Sequence, residues 1–224
     1  MYVPRFNAVD EDDAIRAMVA AAKAGWLVTA GGDGVPEATL LPVMWEGATV
    51  IAHMAKANPQ WRRIEPEARA LVIVAGPDAY VSPSWYASKA EHGRVVPTWD
   101  YTAVHLTGTA RVHLEPEWLR QAVSELTQVH EGVRVVPWWV TDAPDDYVDA
   151  QLRAIVGIEL SVERVEAKAK LSQNRSEADR AGVIDGLRGE ADPDASAIAD
   201  AMAALDPRSA EASHPSPRPY DRRR

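Results

Sequence analysis

Apolar residues recur at helical spacing over residues 10–24, where Ile15, Met18, Val19 and Ala22 share one face. Acidic residues crowd the start of this stretch and Gly25 follows it, so capping and the macrodipole both favour an amphipathic helix there. The period then shortens to two. Residues 26–30 (WLVTA), 37–45 (EATLLPVMW) and 48–55 (ATVIAHMA) predict three strands, the first two joined by the turn sequence GGDGVP. Pro42 predicts an edge or a bulge in the second. These connections are too short for crossover helices, so consecutive strands pair antiparallel. Residues 69–76 (RALVIVAG) are almost continuously apolar and predict a buried strand, 102–114 (TAVHLTGTARVHL) a long strand with a bulge at Gly108, and 156–166 (VGIELSVERVE) a last alternating strand. Helical spacing returns over 116–130, with Leu119, Val123, Leu126 and Val129 on one side, and helices are also expected over 145–155 and 176–189. The pattern adds up to a mainly β chain: an antiparallel barrel of about six strands with peripheral helices.

One stretch fits no period. Residues 80–105 (YVSPSWYASKAEHGRVVPTWDYTAVH) combine aromatic, hydroxyl and basic side chains with Pro83 and Pro97. The prolines oppose a central strand or long helix, and the aromatic density opposes disorder. A long ordered connection of this kind reads as the wall of a site for something flat and polar. Eight tryptophans against one phenylalanine point the same way, because an indole keeps its N–H near a polar partner.

Composition narrows the classes. The chain has 224 residues, 46% of them hydrophobic, which suits one domain, expected over 1–189, with an extension over 190–224. In that extension a short helix is expected around 195–205 and disorder over the last dozen or so residues. No apolar run is long enough to span a membrane, the first residues lack a secretory pattern, and there are no cysteines, so a cytoplasmic protein without disulfides or thiolate chemistry is expected. A net charge of −9 weighs against direct nucleic-acid binding while leaving room for a local basic pocket.

Three segments carry candidate chemistry. In HMAKANPQW, a strand ends near His53, Lys56 adds a charge, and Asn58 followed by Pro59 predicts an N-cap, so a helix N-terminus and a lysine could hold a phosphate; an ordinary turn with a solvated lysine is the competing reading. In the aromatic stretch, Trp85, Tyr86, Trp99 and Tyr101 could enclose a ring while Ser82, Ser84, Lys89 and Thr98 bond its polar edge; the alternative is a packed surface loop. Nothing near Ser82 or Ser84 resembles a nucleophile elbow. In KAKLSQNR, Lys168, Lys170 and Arg175, with Ser172, Gln173 and Asn174, could clamp an oxyanion or form only a solvated basic turn. No histidine spacing matches a metal motif, and none selects an axial haem ligand.

Taken in order, HMAKANPQW, AYVSPSWYASK, VVPTWDYTAVH, the later PWW, IVGIE and KLSQNR resemble the PaiB-type FMN-binding negative transcriptional regulators over about residues 1–189. The resemblance implies a split β-barrel, usually a homodimer with FMN at the subunit interface. It implies cofactor contacts from His53, Lys56, Asn58 and Trp61, from Ser82, Ser84, Trp85, Lys89, Thr98 and Trp99, and from Lys170, Ser172, Gln173, Asn174 and Arg175, the last group closing the site from the same subunit or the other. Where the family pattern has asparagine in PTWNY, this chain has Asp100, exchanging an amide for an anionic acceptor. The expected function is FMN binding with any regulation exerted through flavin or redox chemistry, direct DNA binding being doubtful. The alternatives are an FMN-dependent oxidoreductase or flavin reductase using a nicotinamide donor, and a haem-binding or haem-degrading split barrel.

Overall fold

In the computed structural model, which describes residues 1–205, six strands form: β1 (Ala24–Thr29), β2 (Glu37–Glu46), β3 (Thr49–Ala55), β4 (Ala68–Val81), β5 (Thr98–His113) and β6 (Ile155–Lys170). They close into a barrel in the order β1-β2-β3-β6-β5-β4. β2 pairs antiparallel with β1 and β3, β3 with β6, and β1 with β4, as the short connections require. The helices are α1 (Asp12–Ala22), α2 (Ser88–His92), α3 (Pro116–Glu131), α4 (Asp145–Leu152), α5 (Glu177–Arg188) and α6 (Pro193–Ala204). The tail expected to be disordered lies outside the described residues.

Three expectations change. Gly108 does not break β5: Val104, Leu106, Gly108 and Ala110 all stay on the buried face, so the register runs through without a bulge. The residue is glycine because a Cβ there would lie 1.8 Å from the carbonyl oxygen of Ser161 on β6. Pro42 needs neither edge nor bulge, since it sits where the β2 ladder to β1 ends and that to β3 begins. The stretch at 80–105 is largely regular. β4 continues to Val81, one-turn helices cover Pro83–Trp85 and Ser88–His92, and β5 begins at Thr98, so both prolines fall at joints between elements.

The described residues form two compact units. The first holds Met1–Ile15, Ala75–Val104 and residues 166–205; the second holds Arg16–Val74 and His105–Val165. In the first, Val183 and Leu187 of α5 and Ile198, Ala199 and Met202 of α6 are fully buried together with Val81, Tyr86 and Leu171. Burying each large aliphatic side chain contributes about 1.5–3 kcal/mol. In the second, alternate residues of β1, β3 and β6 fill the strand core, and Leu119 of α3 packs with Val148 and Leu152 of α4. Trp118 stacks on His113 at 4.1 Å with the rings nearly parallel, and its ring lies so close to Gly157 that a Cβ there would be 2.0 Å away. That contact explains the glycine in IVGIE.

Candidate functional site

In the second unit the chain leaves β3 at Ala55 and turns sharply. The Asn58 side chain accepts from the Gln60 backbone N–H at 3.0 Å, the predicted cap, and its amide donates to Thr39 Oγ1 at 3.0 Å. Gln60, which sequence reasoning passed over, anchors the turn from inside. It is 2% exposed; its amide donates to the Leu27 and Glu37 carbonyls and to Thr29 Oγ1, and its oxygen accepts from Thr39 Oγ1. Trp61 Nε1 donates to the Lys56 carbonyl at 3.0 Å, which pins the loop and leaves the Lys56 side chain in solvent. The helix at Pro59–Arg63 is a single 3-10 turn, so its dipole is small. An anion at this turn would rest on the charge of Lys56, not on a helix N-terminus.

His53 is half-buried in the same unit, and its Nδ1 is buried without a hydrogen-bond partner among the described residues. Burial holds its pKa below the ordinary 6.5, so the imidazole is neutral near pH 7. His53 lines a cavity of about 500 Å³ with Pro42, Leu126, Trp138, Val148 and Leu152. The wall is apolar with few polar groups, the arrangement that admits a flat organic ring. Trp138 comes from the Trp-rich connection between α3 and α4, whose spacing alone gave no sign of a wall.

The first unit gathers the other candidates in two places. Lys89 Nζ donates to Ser84 Oγ at 3.0 Å, and Ser82 Oγ accepts from the Ser84 N–H, so these three form one surface chain. Trp85 packs under α5: a Cβ on Gly186 would lie 2.2 Å from its ring and one on Gly182 2.1 Å from its carbonyl oxygen. Trp99 is half exposed, donates to Asp78 at 2.7 Å and meets Tyr80 edge-on at 6.2 Å.

The second place is a cavity of about 220 Å³ that brings together Thr98, Lys170, Ser172, Asn174 and Arg175. Lys168 and Lys170 reach it from the end of β6, a strand and not the basic turn that KAKLSQNR allowed. Asp100 is fully buried. One of its carboxylate oxygens accepts from Lys170 Nζ at 2.9 Å and the other from Ser172 Oγ at 2.7 Å. Ser172 takes a φ of +56, which is uncommon without a glycine. Gln173 holds that turn by bonding the backbone at Leu171 and Ala169. Burial raises the pKa of Tyr86, against the opposing charge of Arg175, whose guanidinium lies 4.7 Å above its ring. Tyr2, Pro4, Phe6 and Asn7 also line this cavity. Nothing in their own sequence marks them.

Comparison with known proteins gives these features a context. Residues 1–164 match the family described as "Putative FMN-binding domain". The protein is 35% identical over 206 residues to the protease synthase and sporulation protein PAI 2 of Bacillus subtilis, covering 90% of this chain and 96% of that one. Among solved structures, a conserved hypothetical protein of Mycobacterium tuberculosis superposes with a TM-score of 0.56 at 18% identity, over 79% of this chain and 95% of the other. The flavocytochrome Anf3 of Azotobacter vinelandii superposes with a TM-score of 0.55 at 18% identity, over 80% and 78%. At that identity the two structures establish the shared split-barrel fold.

Proposed function

The chain belongs to the FMN-binding domain family, and on that premise we propose that it is a flavoprotein that binds FMN and acts through flavin chemistry. The family match over residues 1–164 carries this reading, because it contains both the His53–Trp61 turn and the 80–105 segment. The residues present suit the cofactor. The cavity beside His53 offers an apolar wall for a flat ring, the unpartnered His53 nitrogen is placed to bond a ribityl hydroxyl, and Lys56 offers an exposed charge on a turn held by Asn58 and Trp61. When bound, FMN supplies electron or hydride transfer at its ring. The protein's part is to hold and orient it. Lys56 and Asn58 are assigned to its phosphate or ribityl chain, and neutral His53 to the same region. Ser82, Ser84, Trp85, Lys89, Thr98 and Trp99 are assigned as lining contacts, and Lys170, Ser172, Gln173, Asn174 and Arg175 as a closing group.

The reading extends to a homodimer with FMN at the subunit interface, a nicotinamide electron donor, and a cytoplasmic location. Among the described residues no helix is long and apolar enough to cross a membrane. The Bacillus relative is named for protease synthesis and sporulation. With a net charge of −9, any effect of this chain on transcription would be indirect. Haem is a second reading, favoured by one observation: the unpartnered His53 Nδ1 beside an apolar cavity.

The deciding experiment is the absorption spectrum of the purified protein followed by titration with FMN and riboflavin. Flavin bands and saturable FMN binding are expected, whereas a Soret band would move the assignment to haem. Lys56→Ala weakens FMN more than riboflavin, by about 1–3 kcal/mol for a lost charge-assisted bond. Equal loss for both ligands removes Lys56 from the phosphate. Light scattering at the monomer mass, or failure of NADH and NADPH to bleach bound flavin without oxygen, would remove the dimer or the nicotinamide donor respectively.

A further inference from the structure

The N-terminal segment runs beside the end of β6 in the first unit, where Ala8 bridges to Lys168 and the Val9 N–H donates to the Ala167 carbonyl at 3.2 Å. Between them lies the cavity of about 220 Å³. Three cations line it. Lys170 is spent: an ammonium has three N–H bonds, and Thr98 Oγ1, the Trp99 carbonyl and Asp100 Oδ1 take all three, with the Asp100 carboxylate neutralising the charge. Lys168 is not spent. It is only 6% exposed, yet among the described residues it pairs with no carboxylate. Its Nζ donates to two neutral oxygens, Tyr101 OH at 2.7 Å and the Tyr2 carbonyl at 3.3 Å, and lies over the Tyr101 and Tyr2 rings at 4.9 and 5.9 Å, so one N–H meets only aromatic faces. Arg175 lies over the Tyr86 ring, and its charge also helps hold the Asp179 carboxyl below its ordinary value.

A buried ammonium without a counter-ion is costly, and proteins normally pair such groups. We propose that this cavity is a binding site for a compact oxyanion, a phosphate group above all, held by Lys168 and Arg175. Lys168 and Arg175 give the cavity the cationic lining that a phosphate group takes. The volume sets the size of the ligand. Pockets that enclose whole organic ligands run to about 300–1,000 Å³, so this one takes a phosphate and excludes a flavin ring. Asp100 sharpens the site by withdrawing Lys170 from it, so that the anion meets Lys168 and Arg175 instead.

Two sources share this chemistry: the phosphate of FMN, which would then lie here and leave Lys56 to the ribityl chain, and a free small oxyanion. The site stands or falls independently of the cofactor reading, because it can be tested on flavin-free full-length protein. Inorganic phosphate is titrated calorimetrically against chloride at matched ionic strength. Saturable binding is expected, weakened at least tenfold in Arg175→Gln and abolished in Lys168→Met; if the buried Lys168→Met substitution prevents folding, Arg175→Gln carries the test. The source is read by repeating the titration on FMN-loaded protein and comparing FMN with riboflavin. Exclusion of phosphate by FMN, with Arg175→Gln weakening FMN but not riboflavin, supports the site with the cofactor's phosphate as its ligand. Unchanged phosphate binding to FMN-loaded protein supports the site with a separate ligand. The proposal is overturned if phosphate binds wild type and Arg175→Gln alike. It is equally overturned if phosphate binds no better than chloride while Arg175→Gln fails to weaken FMN selectively.

Discussion

His53 shows how one residue's environment changes what its identity implies. As a letter it was a candidate cofactor contact or iron ligand among six histidines. In the fold its burial lowers its pKa below 6.5. As pH falls through the ordinary histidine range the unfolded chain takes up a proton that the folded chain refuses, so this group makes the protein less stable toward acid. His53→Gln, which cannot titrate, is expected to lose less melting temperature than wild type between about pH 7.5 and 5.5. An equal or larger loss in the variant would show that His53 does not titrate as its burial implies. Asp100 makes the complementary point. The resemblance set it against an expected asparagine, but whether the difference mattered turned on exposure, and it is 0% exposed with Lys170 and Ser172 as partners.

Among the elements, α5 carries the clearest demand. Its glycines look like weaknesses, since each costs about 1 kcal/mol of helix propensity relative to alanine. Their positions against Trp85 reverse that judgement. A Cβ on Gly182 would sit 2.1 Å from the Trp85 carbonyl, an atom that cannot swing aside. Gly182→Ala is therefore expected to destabilise by about 1–3 kcal/mol through overpacking, outweighing the propensity gain. Urea unfolding measures this, and a stabilised variant would mean that α5 does not approach Trp85 so closely. Strand and helix types were legible because apolar period follows backbone geometry directly. The glycines at 108, 157, 182 and 186 were not, because each answers to an atom distant in sequence.

In the whole molecule, α6 packs a helix from outside the family match onto the first unit. The match ends at residue 164, yet Ile198, Ala199 and Met202 are completely buried against α5. A chain ending at Ala191 is expected to lose about 3–6 kcal/mol relative to one ending at Leu205, the burial of two large side chains. Equal melting temperatures for the two would show that α6 adds nothing to that core. The sequence by itself determined the six strands, the helices outside residues 80–105, the Asn58 cap and the family resemblance, because these depend on short-range period, local turn chemistry and residues matched in order. Only the tertiary structure decided that residues 80–105 are mostly regular, that Asp100 is buried on Lys170, and that the N-terminal segment meets Lys168 and Arg175 around a cavity. Those outcomes rest on burial and on contacts between residues about seventy or a hundred and sixty positions apart, such as Lys170 with Asp100 and Lys168 with Tyr2. A buried charge reads the same in a sequence as a solvated one, and what distinguishes them is which side chains the fold brings alongside.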